Sequence, residues 1–277
     1  MRYFPALPAI IFVCFALLSC SDDPVSPPPE KNVIENYRLL INTRDGLFLW
    51  DRDSTVTKFN DSNRRVEVIG SRIFLPNWGN HRIDEYDTLG NFVQSIPYPD
   101  TLNGYFAMLP DDRVALFNNS TDSIYISNSS GNLVAALEMP GGPDNENQNL
   151  DGIVVGNTLV ISENGNNQLM SVDLTSYEVS IFRDFQDYSG WLGAIDYFDG
   201  TYYLCQDREI WSFTDGGNVT LVAEVDTFNI TGIVVDGNYA LVTLNFADGV
   251  YRVDLTTGNS ELLIPDMDYP QDIEILE

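Results

Sequence analysis

Short apolar runs recur in sets of four, equivalent sets lie close to 40 residues apart, and an incomplete first set is matched by a lone run at the C-terminus. Together these predict an all-β chain folded as a six-bladed propeller with four antiparallel strands per blade. After Asn36, runs of Val, Ile, Leu, Tyr and Phe are separated by Gly, Asn and Asp turns, and no amphipathic helical period stands out. The clearest set reads Gly152–Val155, Thr158–Ser162, Gln168–Leu174 and Glu178–Phe182. Similar sets begin near Val66, Tyr105, Ala194 and Gly232.

One third-strand position per set gives Asp51, Asp87, Asn128, Asp173, Thr214 and Asp254, in steps of 36, 41, 45, 41 and 40 residues. The first set holds only three strands: Tyr37–Asn42, Gly46–Asp51 and Thr55–Phe59. Its missing first strand matches Gln271–Leu276, so the last strand is expected to join the first blade and close the ring. The organisation that follows is a leader over 1–19, a tether over 20–36 and one propeller over 37–277.

The leader has a single positive charge, Arg2, and an apolar stretch from Ala6 to Leu18 that is short for a membrane span. Leu17-Leu18-Ser19-Cys20 resembles a bacterial lipoprotein lipobox, which implies lipidation of Cys20 and a membrane anchor. The following Ser21–Glu30 stretch is acidic and proline-rich, a composition that forms an extended tether rather than a core. Lipidation implies the cell envelope; Ser21 is compatible with transfer to an outer membrane, and Asp22-Asp23 after it resembles the surface-export signals of some Gram-negative lineages. With Cys20 lipidated, Cys205 is left alone and is read as a buried small hydrophobe.

Composition excludes some partners. With 14 basic against 41 acidic side chains, the net charge of −27 leaves no basic footprint for nucleic acid. Charge-driven recruitment to anionic lipid is excluded on the same ground. No CxxC, haem-attachment or phosphate-loop sequence is present, and the single histidine, His81, is read as a turn residue.

The stretch Ile73-Phe74-Leu75-Pro76-Asn77-Trp78-Gly79-Asn80-His81-Arg82-Ile83-Asp84-Glu85-Tyr86-Asp87 resembles an NHL repeat, with a degenerate echo at Ile161–Leu169. The resemblance implies an NHL-like propeller scaffold and says little about activity.

Strand direction sorts the loops. Fourth-to-first and second-to-third connections share one face, and the remaining, short glycine-containing turns share the other. The long-loop face gathers Tyr98, Tyr188, Trp191, Phe228 and Tyr269 with several carboxylates, a set suited to a glycan, peptide or protein ligand. The tether joins a second strand, which starts on the short-turn face, so the long-loop face is expected to point away from the membrane. A non-enzymatic, monomeric binding or scaffold module is the preferred reading.

An alternative comes from similarity to gluconolactonase and senescence-marker-protein propellers, which implies a divalent-metal lactonase or esterase. Their ligand column falls here on Arg64, Asn103, Asp151, Gly193, Thr231 and Gln271. Asn103 and Asp151 fit Ca2+ or another divalent cation; Gln271 replaces a glutamate, and Arg64 would repel the ion. A second column, Glu67, Asp196 and Glu274, reads either as a structural cation site or as solvated charges in a channel.

Overall fold

The protein is described here from a computed structural model covering residues 37–51, 56–61, 65–99, 105–118, 121, 123–140, 149–185, 190–226, 229–244, 246–247 and 249–276. The chain divides into Met1–Lys31, outside those residues, and Asn32–Glu277. Among the described residues the second unit holds 24 strands in six four-stranded antiparallel sheets.

Blade 1 is β1 (Arg38–Thr43), β2 (Gly46–Trp50) and β3 (Val56–Asn60), completed on its inner side by β24 (Asp272–Leu276). The closing register runs from Arg38 opposite Leu276 to Asn42 opposite Asp272. Blade 2 runs from β4 (Glu67–Ile69) through β5 (Arg72–Asn77) and β6 (Arg82–Asp87) to β7 (Phe92–Pro97). Blade 3 runs through β8 (Phe106–Met108), β9 (Val114–Asn118), β10 (Ser123–Ser127) and β11 (Leu133–Glu138). Blade 4 is β12 (Asn149–Val155), β13 (Thr158–Glu163), β14 (Gln168–Asp173) and β15 (Val179–Asp184). Blade 5 is β16 (Leu192–Phe198), β17 (Thr201–Gln206), β18 (Glu209–Phe213) and β19 (Thr220–Glu224). Blade 6 is β20 (Ile230–Asp236), β21 (Tyr239–Leu244), β22 (Gly249–Asp254) and β23 (Ser260–Ile264).

The 40-residue marker has a physical cause. The Asp87, Asn128, Asp173 and Asp254 side chains each accept two backbone N–H bonds from the turn that follows, closing it as an Asx turn. The Asn91 side-chain amide together with those backbone bonds holds the Asp87 carboxyl below its ordinary range, and the backbone bonds do the same for Asp173 and Asp254.

The fully apolar runs are explained by packing on both faces of each blade. Leu39 and Ile41 join a core shared with blade 6, whereas Leu40 between them joins one shared with blade 2. Leu159 and Ile161 likewise face blade 3, and Val160 faces blade 5. A hydrophobic cluster fills each of the six junctions between neighbouring blades. Cys205, fully buried, sits in the cluster between blades 5 and 6.

Three inner strands begin earlier than the sequence pattern suggests. Register shifts between Asn149 and Asp151, Leu192 and Ile195, and Ile230 and Gly232 carry β12, β16 and β20 outward to the channel mouth. Bulges of this kind bend a strand and re-aim its side chains. His81 closes the turn after Trp78–Asn80 in a left-handed conformation, φ 51°.

Candidate functional site

A cavity of about 430 Å³ opens on the propeller axis where the inner strands begin. Every blade contributes to its wall. Tyr269 precedes β24, Arg65 precedes β4, Tyr105 precedes β8, Trp191 precedes β16 and Asn229 precedes β20, while Asn164 lies between β13 and β14. These are fourth-to-first and second-to-third connections, so the cavity belongs to the long-loop face. The opposite mouth holds a smaller cavity, about 320 Å³, lined by Tyr37, Gly70, Phe198 and Asp236 among others.

Arg65 is the deep charged group of the larger cavity. Its side chain is 11% exposed and pairs with Asp151, itself 9% exposed, and it donates a long hydrogen bond to the Gly152 carbonyl at 3.4 Å. Asp151 also accepts from the backbone N–H of Gly152 at 2.6 Å and of Ile195 at 2.9 Å.

The contact with Ile195 is one of four alike. Glu67 accepts from Met108 N–H at 2.6 Å, Asp196 from Val235 N–H at 2.6 Å, and Asp272 from Val66 N–H at 3.1 Å. In every case a carboxylate on or beside one inner strand reaches the backbone of the next blade in sequence around the ring. An inner strand is a sheet edge with unpaired N–H groups, and a buried edge must satisfy them.

Burial pushes Glu67 up to about 8, outweighing the pull of Arg65, and pushes Asp196 up to about 6. Burial also raises Asp272 and Glu274, the latter further through repulsion from Asp272. Burial opposes the Arg65 charge, but Asp151, Asp272, Glu67 and Glu274 outweigh it and keep the guanidinium protonated. The channel therefore gathers the buried carboxyls of Glu67, Asp151, Asp196, Asp272 and Glu274 together with the Arg65 guanidinium.

Glu67, Asp151, Asp196 and Glu274 all come to this channel, but among the described residues no three carboxylate, thiol or imidazole groups converge as a metal centre would require. Asp151 is engaged by Arg65, and Glu67 and Asp196 by backbone N–H groups. Asn103 and Arg64 lie outside the described residues, as do Cys20, Tyr188 and Phe228.

Two of the aromatic residues expected on the ligand face line the cavity. Trp191 is 70% exposed, yet its backbone is fixed: its N–H donates to the Asp207 carboxylate at 3.4 Å and its carbonyl accepts from Asp207 N–H at 3.3 Å. Gly190 before it has φ 127°, and a Cβ there would lie 2.6 Å from the Asp207 carboxylate, so this close turn requires glycine. Tyr269 packs edge-on against Phe246, with ring centres 6.0 Å apart, and carries the Arg44 guanidinium 5.4 Å from its ring centre. Arg44 is in turn held by both oxygens of Asp268 at 2.6 and 3.0 Å.

Tyr98 has a different place. It is 5% exposed and packs edge-on against Trp78 and His81, at 5.7 and 6.1 Å, in the core between blades 2 and 3. Its loop position suggested a ligand platform; the Trp78 turn folds over it and makes it core. Phe246, 67% exposed beside Tyr269, was missed, and its only signal was an aromatic within the asparagine-bearing Asn245–Asp248 connection.

No protein-family model and no curated protein matches the chain. Among solved structures it is similar to a chain of a nidogen/laminin complex, with 11% identity over 87% of this chain and 98% of that one and a TM-score of 0.67. It is similar to a streptogramin B lyase, with 15% identity over 86% of each chain and a TM-score of 0.62. A catalytically inactive histidine-to-alanine variant of virginiamycin B lyase from Staphylococcus aureus, with quinupristin, matches at 15% identity over 85% of this chain and 86% of that one, TM-score 0.58. Such identities show the fold alone. The chain is a six-bladed β-propeller closed by its C-terminal strand.

Proposed function

We propose that this protein is a lipid-anchored binding module of the cell envelope, built on an NHL-like scaffold, that receives its ligand in the axial cavity of the long-loop face. The observation that carries the reading is a cavity walled by all six blades, on the face opposite the mouth where Tyr37 leads into the propeller. Lipidation at Cys20 would hold the Tyr37 face toward an outer membrane and present the cavity outward. Loops on a rigid scaffold are where binding residues concentrate, and Trp191 is an exposed aromatic on a fixed backbone.

Catalysis is less well supported. The inactive form of the lyase neighbour lacks one histidine, whereas the single histidine here, His81, shapes a turn and is not part of the cavity wall. The hydrolase alternative would place a divalent cation where Arg65 already neutralises Asp151.

Two measurements test the proposal. Lipid labelling and membrane fractionation should both be lost in Cys20→Ala. Saturable binding of envelope-derived ligand fractions should fall in Trp191→Ala and Tyr269→Ala without loss of folding. Unchanged binding in both variants would refute the axial cavity as the ligand site.

A further inference from the structure

Resting on the reading of the axial cavity as a binding site, its lining narrows the class of ligand. Three features meet there. The first is a fixed, flat apolar surface at the rim, Trp191. The second is a pair of buried polar atoms without partners, Oδ1 of Asn164 and Nε of Arg65. A buried acceptor and a buried donor left unpaired in the wall of one cavity are costly unless a ligand supplies the complementary groups.

The third feature is charge. An anion entering the cavity would face Asp272 in the wall and Glu67, Asp196 and Glu274 in the channel beneath. A cation would face Arg65, whose charge is fixed. A neutral ligand meets neither penalty. It must offer donors and acceptors together with an apolar face.

An extended peptide fits less well, although it too is neutral along its backbone. Strand addition needs an unpaired sheet edge. At this mouth the N–H groups of Val66 and Ile195 are already taken by Asp272 and Asp151. A volume of about 430 Å³ also lies within the range of small-molecule sites, roughly 300–1,000 Å³.

We infer that the cavity receives a neutral pyranose unit of a saccharide, with its C–H face against Trp191 and its hydroxyl groups on Asn164 and Arg65. The hydroxyl oxygen accepts from the Arg65 Nε–H, and another hydroxyl donates to Asn164 Oδ1. Tyr269 and Phe246 extend the apolar wall for a neighbouring unit.

The test titrates the purified protein with neutral hexasaccharides of glucose, mannose, xylose and N-acetylglucosamine, with oligogalacturonate, and with a pool of uncharged hexapeptides. Tryptophan fluorescence and calorimetry are read for wild type, Trp191→Ala and Asn164→Ala. At least one neutral saccharide should bind saturably and at least tenfold more tightly than oligogalacturonate. Both variants should weaken it about tenfold or more, and Trp191→Ala should melt with the wild type because the ring is exposed. Failure of every neutral saccharide, tighter binding of the uronate, or saccharide binding indifferent to both substitutions overturns the inference. Peptide binding lost in Trp191→Ala, with no saccharide bound, overturns the saccharide while leaving the cavity a binding site. If no probe responds to Trp191→Ala, the cavity reading falls as well.

Discussion

Asp151, at the start of the blade 4 inner strand, accepts a hydrogen bond from the backbone N–H of Ile195 in blade 5 at 2.9 Å while its carboxylate holds Arg65 from blade 2. One side chain thus ties three blades together beneath the cavity. Removing one partner of a buried ion pair strands the other charge, a loss of about 3–5 kcal/mol. Asp151→Ala should therefore destabilise the propeller by about 3 kcal/mol in chemical denaturation, nearer the lower figure because Asp272 and Glu67 still compensate Arg65. Asp151→Asn keeps an acceptor for Ile195 and should lose less. The double variant Arg65→Met/Asp151→Leu should recover much of the loss. Equal stability of Asp151→Ala and wild type would show that the pair does not hold the blades.

The channel carboxyls make stability depend on pH. Glu67 rises from an ordinary 4.5 to about 8 and Asp196 from 3.8 to about 6, both through burial. The folded protein holds these protons more tightly than the unfolded chain does. Their contribution is complete below the unfolded values and is lost as pH rises through about 6 for Asp196 and about 8 for Glu67. The melting temperature should therefore fall between about pH 4 and pH 8, with each titrating group contributing at most about 1.4 kcal/mol per pH unit. Glu67→Gln still offers an acceptor to Met108 N–H, so it should flatten the upper part of the curve and melt above wild type at the alkaline end. An unchanged slope in Glu67→Gln would remove Glu67 from the account. The lowered Asp87, Asp173 and Asp254 carboxyls act below their ordinary 3.8, outside this window.

What the sequence revealed and concealed follows from the range of the interactions. The blade count was legible because four of the six third strands lead into a side chain that closes its own turn, as Asp87 does through Leu89 and Asn91. Closure by β24 was legible because blade 1 lacked a strand. The carboxylate bridges were not legible. Glu67 meets Met108 across 41 residues, a contact made by the ring and not by local pattern. The loop aromatics were legible in part: Trp191 and Tyr269 line the cavity of the long-loop face, but Tyr98, read from the same class of loop, is covered by a neighbouring turn.

Cys205 offers a probe of opening. It is fully buried between blades 5 and 6, and burial, reinforced by Asp151 and Asp196, lifts its thiol well above the ordinary value. Thiolate is the reactive form, so native Cys205 should resist thiol reagents and label only as the junction opens. Peptide mapping of Cys205 after timed labelling should show modification tracking denaturant-induced unfolding. Fast labelling in native buffer would mean that blades 5 and 6 separate readily.

Ring closure depends on close backbone approach at the last junction. Gly232, at the bulge of β20, lies against the closing strand: a Cβ there would sit 2.8 Å from Asp272 Cα and 3.1 Å from Ile273 N, as well as 2.8 Å from the Thr243 hydroxyl. Two of those neighbours are backbone, so rotamer changes cannot relieve the clash and β24 would have to move away from β20. Overpacking of this kind costs about 1–3 kcal/mol. The displaced strand would carry Asp272 with it, weakening the bond to Val66 N–H that links blades 1 and 2. Gly232→Ala should lower stability by that amount, and limited proteolysis should release the C-terminal segment faster than from wild type. A Gly232→Ala protein with unchanged melting and an equally protected C-terminus would show that the closing strand has room to spare, and that closure rests on its pairing with β1 alone.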